Sequence, residues 1–194
     1  MRKVLVIDDH EPSRRQLIAI LLERGYEIAG AEGSGKLALA LARTATPDVM
    51  LMAVGLADID GIHAAREILA NSRLPIVLIT SHYDATTVER ATKAGVMALL
   101  LKPVRAEAVS PAIEMAISRF KDFLALQQEN ESLKENLESR KLIERAKGLL
   151  MEQRRLSEEQ AYALIKKTSM NTRKPMADVA QAILLAAEID QQNK

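Results

Sequence analysis

The chain has 194 residues and is almost neutral, with 27 Lys and Arg against 26 Asp and Glu, and it contains no cysteine. This length suits one ordinary domain and a smaller second module, and the missing cysteines exclude disulfide bonds, thiolate metal sites and a cysteine nucleophile. No run of eighteen apolar residues occurs, and the N-terminus has only five apolar residues before two aspartates, so we expect no membrane span, no signal peptide and a cytoplasmic location.

Five short apolar segments alternate with amphipathic ones over the first 118 residues. The predicted strands cover residues 3–8, 27–31, 48–54, 75–80 and 98–103. The predicted helices cover residues 13–25, 35–45, 61–71 and 84–95, with a fifth beginning near residue 105. Near-continuous apolar character is typical of strands that are covered on both faces. The alternation predicts an α/β domain with a parallel, doubly wound, five-stranded sheet.

Polar residues stand where several predicted strands end, and this is the edge at which such sheets bind ligands. Asp8 and Asp9 follow the first strand, Thr80 closes the fourth, and Lys102 closes the fifth. Two adjacent carboxylates attract a hard cation such as Mg²⁺, and Lys and Thr side chains can contact phosphoryl oxygens. The third strand ends at Ala53, whose methyl group can neither attack phosphorus nor bind a metal.

These segments resemble a known domain family. The stretches VLVIDDHEPSRRQL, DVMLMAVGLADIDG, VLIT and LLLKP are similar to the receiver domain of bacterial response regulators. The resemblance covers residues 1–118. It implies a flavodoxin-like (βα)5 fold, a Mg²⁺ site at Asp8 and Asp9, and phosphoryl contacts from Thr80 and Lys102. In that family an Asp at the end of strand 3 accepts phosphate from a histidine kinase, and Ala53 stands at this position.

The register of this alignment is supported within the sequence. Ala53 lies eight residues before Gly61, which follows Asp60, and the acceptor of the family has the same spacing. Two further departures accompany the alanine, because Ala57 replaces a usual Pro and Leu99 replaces a common switching Tyr or Phe. We therefore expect a receiver that aspartyl phosphate does not switch, through natural loss of the acceptor or through an engineered substitution.

The remaining acids near this position are not expected to restore the chemistry. Asp58 and Asp60 lie in the following loop, and in-line attack needs reacting atoms about 3 to 3.5 Å apart in good alignment. Only Asp8 and Asp9 remain of three expected carboxylates, so Mg²⁺ binding should be weak. The alternative for the whole region is another flavodoxin-like domain in which Asp8 and Asp9 are ordinary loop acids.

Residues 119–138 begin a long polar helix that is predicted to continue to about Arg155. The helix is rich in Glu, Gln, Lys and Leu and lacks Pro. A heptad seam runs along it, and an Asn at position a with Leu at position d favours a parallel, in-register pair of helices. The seam residues are Phe123, Leu126, Asn130, Leu133 and Leu137. We expect a homodimer; the alternative is that these residues pack on the protein's own domains.

Helices are also predicted throughout the C-terminal module, residues 139–194. Ser157 and Gln160 have the spacing of a capping box, residues 171–175 read as a turn, and Pro175 suits the first position of the last helix. One apolar stripe on each of three helices predicts a small core. The core residues are Leu142, Ala146, Leu149, Leu150, Ala161, Leu164, Ile165, Val179, Ala180, Ile183 and Leu184.

Positive charge concentrates in residues 139–174, which hold ten Lys and Arg against four Asp and Glu, a net charge of +6. This excess suggests an anionic partner, most often nucleic acid, although such residues can also merely solvate helix faces. A helical glycine costs about 1 kcal/mol relative to alanine, and a close backbone approach would explain Gly148. The candidate RNA-binding residues are Lys141, Arg145, Lys147, Gly148, Arg154, Arg155, Arg173 and Lys174.

Residues 138–186 resemble an ANTAR domain, the RNA-binding module of AmiR- and NasR-type antitermination regulators. The similarity rests on the stretches IERAKGLLM, QAYALIKKTSM and RKPMADVAQAIL. The resemblance implies binding to RNA hairpins in mRNA leaders, which prevents a terminator from forming so that the polymerase reads on. Tyr162 is the only aromatic residue in this module; we expect it to pack in the core beside helix-core alanines, and the alternative is that it stacks on a base.

The leading hypothesis is an RNA-binding transcription antitermination regulator of the two-component type, with no enzymatic activity and no cofactor. A DNA-binding response regulator and a pseudo-receiver scaffold controlled by sequestration are the alternatives. A receiver that cannot be phosphorylated still needs an input, so a sensor or sequestering protein is an expected partner. The three histidines have neither metal-ligand spacing nor a serine partner, which argues against catalysis.

Overall fold

The computed structural model describes residues 1–192, and its first part is a parallel sheet between two layers of helices. The strands are β1 (Lys3–Ile7), β2 (Glu27–Glu32), β3 (Val49–Ala53), β4 (Ile76–Thr80) and β5 (Ala98–Leu101). They pair in the order β2-β1-β3-β4-β5, and every pair is parallel. The predicted flavodoxin-like sheet is confirmed, and the carboxyl ends of its strands meet at one edge.

Four helices connect these strands. They are α1 (Glu11–Glu23), α2 (Gly35–Thr44), α3 (Gly61–Asn71) and α4 (Ala85–Lys93). Each begins directly after a side chain that accepts a hydrogen bond from an amide of the first turn, which satisfies an otherwise unpaired donor. These capping residues are His10, Ser34, Asp60 and Asp84. Helix α1 begins two residues earlier than predicted because Pro12 fits the first turn, where its missing N–H is not needed.

The apolar strands divide their side chains between two core layers. Leu5, Met50 and Leu78 belong to one layer, whereas Val6 and Leu51 belong to the other. Alternate residues of a strand point to opposite faces of a sheet, so both faces are covered only if the strand is apolar throughout. The continuous apolar runs in the sequence have this origin, and β3 and β4 are buried along their whole length.

The last helix of the sheet region and the connector are one element, α5 (Ala106–Arg154), of 49 residues. The predicted long helix is confirmed, and its composition favours helix throughout. It ends where Arg155 takes a left-handed conformation with φ of 53°. The chain divides into two compact units, Met1–Leu124 and Ala125–Lys194. Within residues 1–192, no helix has the length and apolar character needed to cross a membrane.

Two shorter helices follow α5 in the second unit, α6 (Glu158–Thr172) and α7 (Met176–Gln192). The predicted capping box is present, because the Gln160 amide donates to the Ser157 hydroxyl and the Ser157 amide donates to the Gln160 side chain. Two backbone amides at the start of α6 are therefore satisfied by side chains that lie three residues apart.

The turn predicted at residues 171–175 is shorter than expected. Asn171 and Thr172 belong to α6, whose last turn is held by a hydrogen bond from the Thr172 hydroxyl to the Thr168 carbonyl at 2.8 Å. Arg173 then takes a left-handed conformation with φ of 54° and ends the helix. Helix α7 begins one residue after Pro175.

Segments of α5, α6 and α7 enclose the small core of the second unit. Its buried members are Ala146, Leu150, Ala161, Ile165, Val179 and Ala180, surrounded by partly buried Leu142, Ile143, Leu156, Leu164, Met176, Ile183 and Leu184. The predicted three-helix packing is confirmed. Leu149 is half-buried outside this cluster. Because the core uses one stripe of each helix, the opposite faces remain available to solvent or to partners.

Candidate functional sites

The carboxyl edge of the sheet gathers the predicted receiver residues from four strands. Asp8, Ala53 and Thr80 are buried, whereas Asp9 is exposed. The Nζ atom of Lys102 lies 2.6 Å from Oδ2 of Asp8, whose side chain is 1% exposed. The other oxygen, Oδ1, accepts a hydrogen bond from the His10 amide at 3.0 Å, and such partners offset the cost of burying a carboxylate. The counter-charge of Asp8 is thus supplied from within the chain.

The Thr80 hydroxyl is engaged by the loop that follows β4. It donates a hydrogen bond to the His82 carbonyl at 2.9 Å and accepts one from the His82 amide at 3.1 Å. Side chains that bond to backbone two residues away stabilise tight turns. The hydroxyl would have to leave both partners in order to contact a phosphoryl group at this edge.

Gly61 closes the loop that follows Ala53. Its amide donates to the Val54 carbonyl at 2.7 Å, and a Cβ atom built on it would lie 2.0 Å from the carbonyl oxygen of Ala53. No side chain fits at that distance, so the contact requires glycine at position 61. The spacing of eight residues between Ala53 and Gly61 therefore has a steric cause in this loop.

Asp58, in the same loop, caps α2. Its carboxylate accepts hydrogen bonds from the Ser34 hydroxyl at 2.6 Å and from the amides of Gly35 at 3.0 Å and Lys36 at 3.1 Å. These bonds, the one from Ser34 foremost, hold the pKa of Asp58 well below its ordinary value of 3.8. Asp58 is thus committed to organising the start of α2.

Asp60 has an equivalent role at the start of α3. It accepts a hydrogen bond from the His63 amide at 3.0 Å, and Arg90 Nη2 lies 3.0 Å from its Oδ1 atom. A carboxylate at a helix N-terminus is favoured by the unpaired amides and by the helix dipole. Both loop acids are therefore occupied by neighbouring helices.

The remaining residues at this edge fit a magnesium ion poorly. Mg²⁺ demands near-octahedral oxygen ligands at about 2.1 Å. Asp8 is paired with Lys102, Asp9 lies on the surface, and Ala53 offers no side-chain oxygen. Among the residues that the structure describes, no group of three His, Cys, Asp or Glu side chains could hold a metal ion.

Lys147, predicted to contact RNA, lies inside the second unit instead. Its side chain is 8% exposed, and its Nζ atom lies 3.0 Å from Glu144 Oε1 and 2.7 Å from Glu158 Oε1. Hydrogen bonds to Glu158 and Glu144 raise the pKa of Lys147 above its ordinary value. This ion pair ties α5 to the first turn of α6. Glu144 was visible as a partner three residues away, but Glu158, on another helix, was not.

The ten Lys and Arg residues of 139–174, except for Lys147, form what we call the basic surface. Its members are exposed: Arg140, Lys141, Arg145, Arg154, Arg155, Lys166, Lys167, Arg173 and Lys174. Within the described part of the chain, only Lys141 among them has a carboxylate within ion-pair distance, Glu138 at 2.7 Å. The charges of this surface are therefore largely uncompensated by neighbouring side chains, and they can attract an anionic partner.

Gly148 and Tyr162 differ from what their sequence positions indicated. A Cβ atom built on Gly148 would meet no described atom within 4 Å, so a close approach from within the described chain does not explain this glycine. Tyr162 is 44% exposed, and the expectation that it packs in the core is wrong. Its neighbours on α6, Ala161 and Ile165, are fully buried and fill the core themselves.

The seam predicted on the connector is an exposed apolar stripe. Phe123, Leu126, Leu133 and Leu137 are between 52% and 66% exposed, and Asn130 is exposed among them. Three of the four apolar members thus belong to the second unit without being buried in it. The leucines of this stripe are not part of the described core of the second unit.

Comparison with known families accounts for both units. The family model of the response regulator receiver domain matches residues 4–114, and that of the ANTAR domain matches residues 131–184. The chain belongs to the ANTAR-containing response regulators. Transcriptional regulatory protein PdtaR of Mycobacterium tuberculosis is 43% identical to it over 183 residues, which cover 94% of this chain and 89% of PdtaR.

Two further similarities each cover a little more than half of this ANTAR response regulator. Response regulator protein VraR of Staphylococcus aureus is 34% identical over 113 residues, or 57% of this chain and 54% of VraR. The signal receiver domain of a modulated diguanylate cyclase from Desulfovibrio desulfuricans G20 has a crystal structure with a TM-score of 0.59 and 33% identity. The superposition covers 62% of this chain and 97% of that domain.

Proposed function

We propose that this ANTAR response regulator binds RNA hairpins in mRNA leaders and thereby controls transcription antitermination in the cytoplasm. The observation that carries the proposal is the basic surface of the second unit. Exposed Lys and Arg side chains contact phosphates and release counterions, so affinity falls as the salt concentration rises. Sequence specificity would come from unpaired loop bases, since the deep major groove of RNA helices is inaccessible to side chains.

Lys147 has a supporting role in this proposal. Its charge is neutralised by Glu144 and Glu158, so it would orient α6 against α5 rather than touch a phosphate. The phosphate contacts are assigned to exposed cations of the second unit. They are Lys141, Arg145, Arg154, Arg155, Arg173 and Lys174.

The receiver, in this proposal, is a protein-docking unit that aspartyl phosphate does not switch. Ala53 has no nucleophilic oxygen, and the loop acids Asp58 and Asp60 are held by α2 and α3. A weak Mg²⁺ site at Asp8 and Asp9 would have no phosphoryl group to stabilise, and no cofactor is required. The input would then be a sensor or sequestering protein that binds the receiver and controls access to RNA.

The exposed stripe on α5 supports a parallel homodimer. Asn130 at position a would meet its counterpart in an in-register pair, where two Asn side chains satisfy each other. In the same register Glu129 occupies position g and Lys134 occupies position e of the next heptad. These positions face each other across a parallel pair, so the opposite charges favour the same register. The dimer would present two ANTAR units to one RNA.

Light scattering tests the dimer. The unaltered protein should have twice the mass of the chain, and Asn130→Leu should change the stoichiometry because the register-setting Asn is lost. Gln128→Leu, on the outer face of the same helix, is the matched control and should leave the dimer unchanged. A monomer at high protein concentration would refute this part of the proposal.

Gel-shift titration tests RNA binding. The protein should shift a transcript with tandem leader hairpins but not the matching DNA duplex. The double variant Arg145→Gln with Lys174→Gln should weaken RNA binding and flatten its salt dependence by nearly one unit per lost phosphate contact. The control Arg43→Gln with Arg73→Gln removes the same charge from the receiver and should have little effect.

A DNA-binding regulator remains the second candidate, because a basic helical unit also suits duplex DNA. Equal affinity for the RNA and for the DNA duplex would favour that candidate over the first.

A further inference from the structure

Tyr162 is the only aromatic residue in the ANTAR unit, and it is not used in the core. It lies on α6 with 44% of its surface exposed, beside fully buried Ala161 and Ile165. Aromatic side chains contribute large areas to protein cores, and small units gain most from burying them. A tyrosine left in solvent next to the core of so small a unit suggests a partner for its ring.

The electrostatic surroundings of Tyr162 favour an anionic partner. Glu158 lies one helical turn before it, and the carboxylate of Glu158 is paired with Lys147 at 2.7 Å. That ion pair offsets the charge of one of the two acids that precede the ring by about one turn, the other being exposed Glu159. Lys166, one turn after Tyr162, is an exposed member of the basic surface.

We infer that Tyr162 is a specificity-determining residue that stacks on an unpaired base of an RNA hairpin loop, with Lys166 contacting the adjacent phosphate. The inference rests on the proposed RNA binding and deepens it. Bases in hairpin loops are splayed from their neighbours, so their flat faces are available for stacking on an exposed aromatic ring. A fully paired RNA stem offers no such face and would be bound through its phosphates alone.

The role assigned to Lys147 follows from the same arrangement. Lys147 fixes the first turn of α6 against α5 and compensates Glu158, so a polyanion can approach the ring one turn later. Lys147 is in this sense a positioning residue for Tyr162. The ion pair, the exposed ring and the exposed lysine thus follow one another along one side of α6 at intervals of one turn.

The experiment uses the full-length chain and a defined probe. The probe is a pool of RNA hairpins with one fixed stem and a randomised loop, and the control is the blunt RNA duplex of that stem. The unaltered protein should enrich particular loop sequences. For an enriched hairpin, Tyr162→Leu should weaken binding about ten-fold to a hundred-fold, the range measured for loss of a stacked base.

Two variants separate stacking from charge. Tyr162→Phe keeps the ring and should retain most of the affinity, whereas Tyr162→Leu should leave the salt dependence unchanged because no phosphate contact is lost. Lys166→Gln should show the opposite pattern, with a smaller salt dependence and the same preferred loops. Neither Tyr162 variant should alter binding to the blunt duplex, because the duplex offers no base face for stacking.

Tyrosine fluorescence gives a readout that does not depend on the stability of the leucine variant. The chain has three tyrosines and no tryptophan, so tyrosine emission can be followed directly. Binding of the enriched hairpin should quench emission in the unaltered protein, and the quenching should be absent in Tyr162→Phe although the RNA is still bound. Tyr83→Phe, which alters another exposed tyrosine, should keep the quenching.

Each outcome bears on a different claim. If the unaltered protein binds no hairpin at all, the proposed RNA-binding function fails. If it binds and Tyr162→Leu binds equally well, with quenching that survives Tyr162→Phe, the stacking role is wrong and the RNA-binding function stands. If Tyr162→Leu keeps its affinity for RNA but loses the dimer, the ring is a protein contact and the inference is also wrong.

Discussion

Each unit has a motif glycine, one at the carboxyl edge of the receiver sheet and one on α5 in the ANTAR unit, and the space around the two glycines differs. At Gly61 an added Cβ atom would lie 2.0 Å from the Ala53 carbonyl oxygen, whereas at Gly148 it would meet nothing within 4 Å. The receiver edge is crowded, and Asp8, Thr80 and Lys102 have partners within the chain. The outer face of the ANTAR unit is open, and its cations are exposed. A motif residue can therefore serve the fold in one unit and remain available to a ligand in the other.

The largest expected effect is on phosphorylation at the carboxyl edge of the receiver sheet. Incubation with a small-molecule phosphodonor and Mg²⁺ should leave the intact mass of the protein unchanged, because Ala53 has no oxygen with which to attack phosphorus. Ala53→Asp restores that oxygen beside Asp8 and Lys102 and should gain one phosphoryl group, with Ala53→Asn as the inert control. Intact-mass spectrometry decides the matter, and a phosphoryl group on the unaltered chain would contradict it.

The next largest effect is on the free energy of unfolding of the receiver, through Gly61 at the same edge. Gly61→Ala should lower the free energy of unfolding of the receiver by about 3 kcal/mol, because the methyl group collides with backbone rather than with a flexible side chain. Denaturant titration of the full chain measures this change. Gly55→Ala, in the same loop with open space around its Cβ position, is the matched control and should change stability little. Equal effects of the two substitutions would show that the loop can shift.

Gly148→Ala should have the opposite sign. With no atom in the way, alanine should stabilise the helix by about 1 kcal/mol, the usual difference in helix propensity. Thermal unfolding of the ANTAR unit reports the gain. If RNA approaches the backbone at this position, the same variant should be more stable and yet bind the hairpin more weakly. A loss of stability would show that the added methyl group collides with neighbouring atoms.

The smallest effect is the pH dependence of the Lys147 ion pair. The pKa of Glu158 is lowered from its ordinary value of 4.5, so its stabilising contribution is present above pH 4.5 and is lost as the pH falls through the lowered value. The pKa of Lys147 is raised from 10.5, so its contribution is present below pH 10.5 and is lost as the pH rises through the raised value.

Unfolding of the unaltered protein and of Glu158→Gln should therefore differ between pH 4.5 and pH 10.5 and converge beyond that window. The difference should be modest because the side chain of Glu158 is 68% exposed and solvent screens the interaction. Glu159→Gln, the neighbouring exposed acid, is the control. A difference between the two proteins that does not vary with pH would argue against the ion pair.

The fold could be predicted in most respects because its signals are local. Apolar runs identified the five strands, helical periodicity identified the helices between them, and the spacing between Ala53 and Gly61 placed the missing acceptor. The capping box at Ser157 and the long helix also depend on residues near one another in the sequence. Errors at element ends, such as the turn after Thr172, come from single side-chain hydrogen bonds.

The roles of individual polar side chains could be predicted less well, because their partners lie on other elements. Asp58 was read only as a loop acid, since its partner Ser34 is 24 residues away. Lys147 was assigned to RNA because its partner Glu158 lies on the next helix and could not be recognised from the sequence. Tyr162 was assigned to the core because burial is the more frequent state of an aromatic residue beside helix-core alanines. Composition fixed the overall charge of the surface, but not which cation is internally paired.

The contact between Gly61 and position 53 also bears on how such receivers evolve. Gly61 packs against the main-chain carbonyl oxygen of Ala53, and its amide bonds to the carbonyl of Val54. Neither contact involves the side chain at position 53. The loop therefore requires the glycine but places no such requirement on the side chain at position 53. A receiver with this loop can therefore exchange the side chain at position 53 without altering these two contacts.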